Sequence, residues 1–68
     1  MSKHLLIMRC RDPQMWYAHK VGMLVPYLGT YPECYKSRED DGYLNIVHFV
    51  DAKIVDDDDL DKSLSKHV

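Results

Sequence analysis

The tripeptide Asp40-Asp41-Gly42 stands between two stretches of alternating side-chain character, and that arrangement leaves a short chain few ways to fold. Aspartate followed by glycine supplies the positive backbone φ angles of a two-residue hairpin turn, so residues 33–39 and 43–50 are expected to pair as antiparallel strands. In the first, Cys34, Lys36 and Arg38 alternate with Tyr35 and Ser37, a half-exposed pattern. In the second, Tyr43, Val47 and Phe49 alternate with Leu44, Ile46, His48 and Val50. Apolar residues on both faces imply a central strand or one buried on both sides.

No segment before residue 56 keeps a helical apolar period for ten residues, whereas short β-branched and aromatic runs recur between turn signals, so the body is all-β. A first strand over about residues 3–11 places Leu6, Met8 and Cys10 on one side and Leu5, Ile7, Arg9 and Arg11 on the other. Asp12-Pro13 ends it, because proline has no amide to give to a ladder. A loop or irregular strand runs from Gln14 to Lys20. After Val21-Gly22, Met23, Val25 and Tyr27 alternate with Leu24, Pro26 and Leu28, and Pro26 calls for an edge or a sharp bend. Gly29-Thr30-Tyr31-Pro32 reads as a turn, and Asp51-Ala52 as a tight turn before a last strand, Lys53-Ile54-Val55. The expected core includes Leu6, Met8, Val25 and Ile46.

Sixty-eight residues suit one small domain of modest stability. An apolar fraction of 46% argues against disorder of the whole chain, and no run approaches the roughly 18 apolar residues of a membrane span. Leu5 to Met8 is too short an apolar run for a signal peptide, so a soluble, cytoplasmic protein is expected, away from membranes. Cys10 and Cys34 are expected to be reduced, since small disulfide scaffolds carry about four to eight cysteines. Cys10 reads as core; Cys34 is open between burial and exposure. Residues 1–55 carry seven basic and six acidic side chains, a net +1, while residues 56–68 carry five aspartates against Lys62 and Lys66, a net −3. The division is thus a domain over 1–55 and an acidic tail over 56–68, disordered or a short helix on the four-residue spacing of Leu60, Leu64 and Val68.

Five short strands, a long first connection and one helical turn before the last strand give the order of an SH3-like barrel. Met8-Arg9-Cys10-Arg11-Asp12, Trp16-Tyr17, Val21-Gly22, Tyr35, Gly42-Tyr43-Leu44-Asn45-Ile46-Val47 and Asp51-Ala52-Lys53-Ile54-Val55 resemble small SH3-like barrel proteins encoded by bacteriophages and prophages. The resemblance covers about residues 6–55. It implies a five-stranded SH3-like barrel and a short accessory protein that binds a host protein and inhibits or redirects it. No catalytic residues carry over, and the acidic tail departs from the pattern.

The candidate chemistry is that of a surface. His4, His19, His48, His67, Cys10 and Cys34 lack the paired spacing of a structural zinc site, and no motif implies a cofactor. Nucleophilic catalysis by a pair such as Cys34 and His48 needs a concave site, which a barrel this small has no room to enclose, so a non-enzymatic chain is expected. Tyrosine and tryptophan outnumber the single phenylalanine, and such amphipathic rings favour interfaces. Trp16 and Tyr17 fall in the first long connection, where Trp16 either lines a peptide groove or caps the core, and Tyr17 and Tyr31 are expected to be partly exposed. The expected contact set is Trp16, Tyr17, Tyr31, Tyr35, Arg11, Lys36 and Arg38. The alternative is a KOW-like nucleic-acid-binding module, in which Arg9, Arg11, Lys20, Lys36 and Arg38 contact phosphates beside stacking aromatics.

Overall fold

The alternating segments do become strands in the structure, a computed structural model that describes residues 3–57. In chain order these are β1 (Lys3–Ile7), β2 (Leu24–Pro26), β3 (Gly29–Thr30), β4 (Cys34–Arg38), β5 (Leu44–His48) and β6 (Ala52–Asp56), with a 3-10 turn over Phe49–Asp51. They form two antiparallel three-stranded sheets, ordered β2-β1-β6 and β3-β4-β5. The fold is all-β, with six strands where five were expected. The extra one, β3, falls on Gly29-Thr30, where a turn was expected, and Tyr27 and Leu28 carry the chain to it from the first sheet. Pro26 lies on the edge strand β2, where a missing amide costs no ladder bond.

The core consists of Leu5, Ile7, Tyr17, Val25, Val47 and Ala52. Val25 is where the sequence placed it, but the faces of β1 are reversed: Leu5 and Ile7 are fully buried, Leu6 is half-buried and Met8 is 45% exposed. Four apolar residues in a row give alternation nothing to choose between, and the choice falls to the neighbours. Leu5 pairs with Val25 and Ile54, and Ile7 with Ala52, so these residues share the inner face. Ile46 is likewise half-buried, while Val47 points inward. β1 also ends at Ile7 rather than near Arg11, because the Met8 and Arg9 amides turn to the Asp51 carbonyl, at 2.6 and 3.2 Å. Buried Ser37 joins the sheets by donating its Oγ hydrogen to the Pro26 carbonyl at 2.7 Å.

The hairpin forms where Asp40-Asp41-Gly42 stands, with a three-residue loop in place of the expected two. Gly42 N–H donates to the Glu39 carbonyl and Glu39 N–H to the Tyr43 carbonyl, at 2.9 and 2.8 Å. Gly42 has φ +98°, and no residue other than glycine has a positive φ among those described. Both aspartates therefore keep negative φ, which gives a type I turn closed by glycine in the left-handed region. Gly29-Thr30 is strand rather than turn, so the reversal falls on Pro32-Glu33, closed by Tyr31 N–H on the Cys34 carbonyl at 2.8 Å.

β5 is an edge strand, paired with β4 alone, and Leu44 on its outer face is 54% exposed, which corrects the expectation of a central strand or one buried on both sides. Since Glu39 bonds Tyr43, antiparallel alternation turns the amides and carbonyls of Leu44, Ile46 and His48 toward the open edge. The chain covers several of them with side chains. Trp16 Nε1 donates to the Ile46 carbonyl at 2.8 Å, Asn45 Oδ1 accepts from Ile46 N–H at 2.8 Å, and the Tyr17 hydroxyl accepts from His48 N–H at 3.4 Å. The outer face of β5 stays partly open, with Ile46 half-buried beside exposed Leu44. The tail expectation lies outside the described residues, apart from Asp56, which belongs to β6, and Asp57.

The reversed faces of β1 have a direct consequence for stability. Leu5→Ala is expected to cost about 2–5 kcal/mol through lost burial and a cavity, and Met8→Ala to stay within about 0.5 kcal/mol. Urea unfolding of the two variants checks this; equal costs would contradict the assignment.

Candidate binding surface

The first long connection is a chain of tight turns. Met15 N–H bonds the Asp12 carbonyl, Ala18 N–H the Met15 carbonyl and Lys20 N–H the Tyr17 carbonyl, at 3.1, 3.0 and 2.9 Å, while Asp12 Oδ1 accepts from Gln14 N–H at 2.9 Å. These turns aim Trp16 and Tyr17 inward. Tyr17 is fully buried, which corrects its place in the expected contact set and its expected exposure. Its hydroxyl finds a partner inside, donating to Asp51 Oδ2 at 2.5 Å. Burial, then the hydrogen bond to Asp51, pushes the Tyr17 hydroxyl far above the ordinary tyrosine pKa; the charges of Asp51 and Cys10 act the same way, and the His48 amide opposes them. Asp51 is itself 3% exposed, and its Oδ1 has no hydrogen-bond partner among the described residues. Trp16 is half-buried, edge-on to Tyr17 at 5.6 Å between ring centroids. Of its two readings, the bonded indole nitrogen fits the one in which it caps the core.

Tyr27, Tyr35 and Phe49 make a separate group. Tyr35 on β4 lies edge-on to Phe49 at 4.8 Å and to Tyr27 at 6.1 Å. The Tyr27 hydroxyl shares a hydrogen bond of 2.6 Å with Thr30 Oγ1, and Thr30 is the cross-strand partner of Tyr35. Tyr27 and Tyr35 are half-buried against the core, while Phe49 remains 40% exposed. Tyr31, one residue past β3, is 45% exposed, as expected of it. Three edge-on rings thus meet next to exposed apolar side chains, and rings of this kind offer contact area at low entropic cost. The sequence reading missed Phe49 because it placed this residue inside a strand; the 3-10 turn is what brings it out to the surface.

The basic members of the expected set do not join this group. Lys36 and Arg38 point to the outer face of the second sheet, opposite Ile46 and Leu44, whereas Tyr35 points to the inner face. Lys36 is half-buried, and exposed Arg38 donates through Nη1 to the Gly42 carbonyl at 2.7 Å. Arg11 is exposed at the bend after β1. Lys20 is committed to Asp40 at 2.6 Å, a contact between the first connection and the hairpin loop. Cys34 and His48 are direct cross-strand partners on the outer face, and no hydrogen bond joins them among the described residues. Both cysteines are free thiols. The described residues contain no group of three or more histidine, cysteine or acidic side chains able to hold a metal ion, and no helix long and apolar enough to cross a membrane.

No family model, curated protein or solved structure matches the chain.

The state of Tyr17 is open to titration. A group whose pKa is raised by folding stabilises the fold fully below its unfolded value, near 10, and that stability is lost as pH rises toward the folded value. Tyr17 is therefore expected to ionise only on alkaline unfolding. Absorbance at the tyrosinate band checks this: a step that coincides with alkaline unfolding is expected in the wild type and should be absent in Tyr17→Phe.

Proposed function

We propose that this chain is a small non-enzymatic protein-binding module of SH3-like build, whose contact surface is the aromatic group of Tyr27, Tyr35 and Phe49, extended by exposed Tyr31. The observation that carries the reading is the edge-on Tyr27-Tyr35-Phe49 stack, with Phe49 and neighbouring Val50 exposed, Val50 at 52%. Such preorganised rings are the kind of residue that dominates binding energy at protein interfaces. The SH3-like assignment is supported by the strand succession: with β2 and β3 counted as one bent strand, the order is β6, β1, β2/β3, β4, β5, with the 3-10 turn before the last strand. Following the resemblance to phage-encoded barrels, the partner is a host protein in the host-cell cytoplasm, inhibited or redirected by occupation of its surface.

The KOW-like alternative draws on Lys36 and Arg38, which share one sheet face. The register sets Tyr31 opposite Cys34, beyond the cations rather than between them, and Lys20 is already paired. Its mark would be RNA or single-stranded DNA binding that weakens steeply with salt.

Capture from bacterial lysate at low salt compares the wild-type chain with Tyr31→Ala/Phe49→Ala and, as a control, Tyr43→Ala, whose ring is 71% exposed at the hairpin. The double variant is expected to lose a specific host protein about tenfold or more, as removal of interface hot spots does, while the control retains it. No protein retained by the wild type, or equal retention by all three, would overturn the reading.

A further inference from the structure

The first sheet is apolar on both faces. Its inner face carries Leu5, Ile7, Val25 and Ala52 into the core. On the outer face, the pairing sets Leu6 between Leu24 and Lys53, and His4 between Pro26 and Val55. Four of these six side chains are apolar: Leu24 is 42% exposed, Pro26 is exposed, and Leu6 and Val55 are half-buried. An antiparallel sheet with one face on the core ordinarily offers polar side chains on the other. The outer face of the second sheet follows that rule better, with Lys36, Arg38 and His48 beside Leu44 and Ile46.

The path of the chain indicates what this apolar face receives. Asp57, one residue past β6, accepts a hydrogen bond from His4 Nδ1 at 2.8 Å, and His4 belongs to the outer face. Asp57, the last described residue, is therefore held on that side of the sheet. The eleven residues after it, 58–68, carry Leu60, Leu64 and Val68 four apart, a spacing that makes one apolar stripe on a helix. A helix of that length spans about 16 Å, enough to cross three strands lying about 4.8 Å apart. A helix this short is marginal in water by itself, and its tether gives it an effective concentration of order millimolar over the face. Lys53 on the face also complements the aspartates that flank the stripe.

We propose that the outer face of the first sheet is the docking site of this chain's own residues 58–68, with Leu60, Leu64 and Val68 covering Leu6, Leu24, Pro26 and Val55. The surface is distinct from the aromatic group and does not depend on its function. The face left open to a partner is then the aromatic one.

The full chain with labelled leucine and valine methyl groups tests this by NMR. Nuclear Overhauser effects are expected from Leu60, Leu64 or Val68 to Leu6, Leu24 or Val55 in a dilute sample. They are expected to vanish in an isotope-filtered experiment on mixed labelled and unlabelled chains. Leu60→Asp/Leu64→Asp is expected to shift the methyl resonances of Leu6, Leu24 and Val55 and to leave those of Leu5 and Val47 in place. Absence of these effects in the wild type, effects that persist between chains, or unmoved outer-face resonances in the variant would each overturn the proposal; persistence between chains would assign the face to a second copy.

Discussion

The hydrogen bond between Tyr17 and Asp51 is the constraint on which the rest of the structure depends. Tyr17 comes from the middle of the first connection and Asp51 from the end of the 3-10 turn, 34 residues later. The Asp51 carbonyl receives the Met8 and Arg9 amides, which end β1, while the Tyr17 hydroxyl receives the His48 amide at the end of β5. One contact thus gathers the ends of strands from both sheets. A domain this small buries too little surface to rely on apolar packing alone, and a buried hydrogen bond adds a directional requirement that packing lacks.

The same contact decides how the second sheet ends. An edge strand with open amides invites pairing with other chains. Here the turns that bury Tyr17 also bring Trp16 onto the Ile46 carbonyl, so the fold covers the β5 edge with two aromatic side chains. Those residues are then spent on structure. The aromatic surface available to a partner comes from elsewhere, from the bend after β2, from β4 and from the 3-10 turn.

Much of the strand framework was legible in the sequence, because proline, glycine and alternation act locally. The Asp-Gly hairpin, the edge position of Pro26 and the short last strand all follow from such rules. The faces of β1 did not, since Leu5-Leu6-Ile7-Met8 is apolar at every position and only pairing with β2 and β6 chooses between them. The fate of Tyr17 was illegible for a related reason: a tyrosine in a loop reads as surface until its partner is known, and Asp51 lies far away in sequence. Of the expected contact residues, Tyr31 is exposed and Tyr35 joins an aromatic group, whereas Lys36 and Arg38 fall on the opposite face of the sheet, as strand alternation required.

A double-mutant cycle on Tyr17→Phe and Asp51→Ala, read by urea unfolding at neutral pH, tests the central role of this contact. If the pair acts as a unit, each single variant is costly and the double variant costs much less than their sum, leaving a coupling of about 1–3 kcal/mol. Costs that simply add would show that the two residues stabilise the fold independently, and would contradict the account.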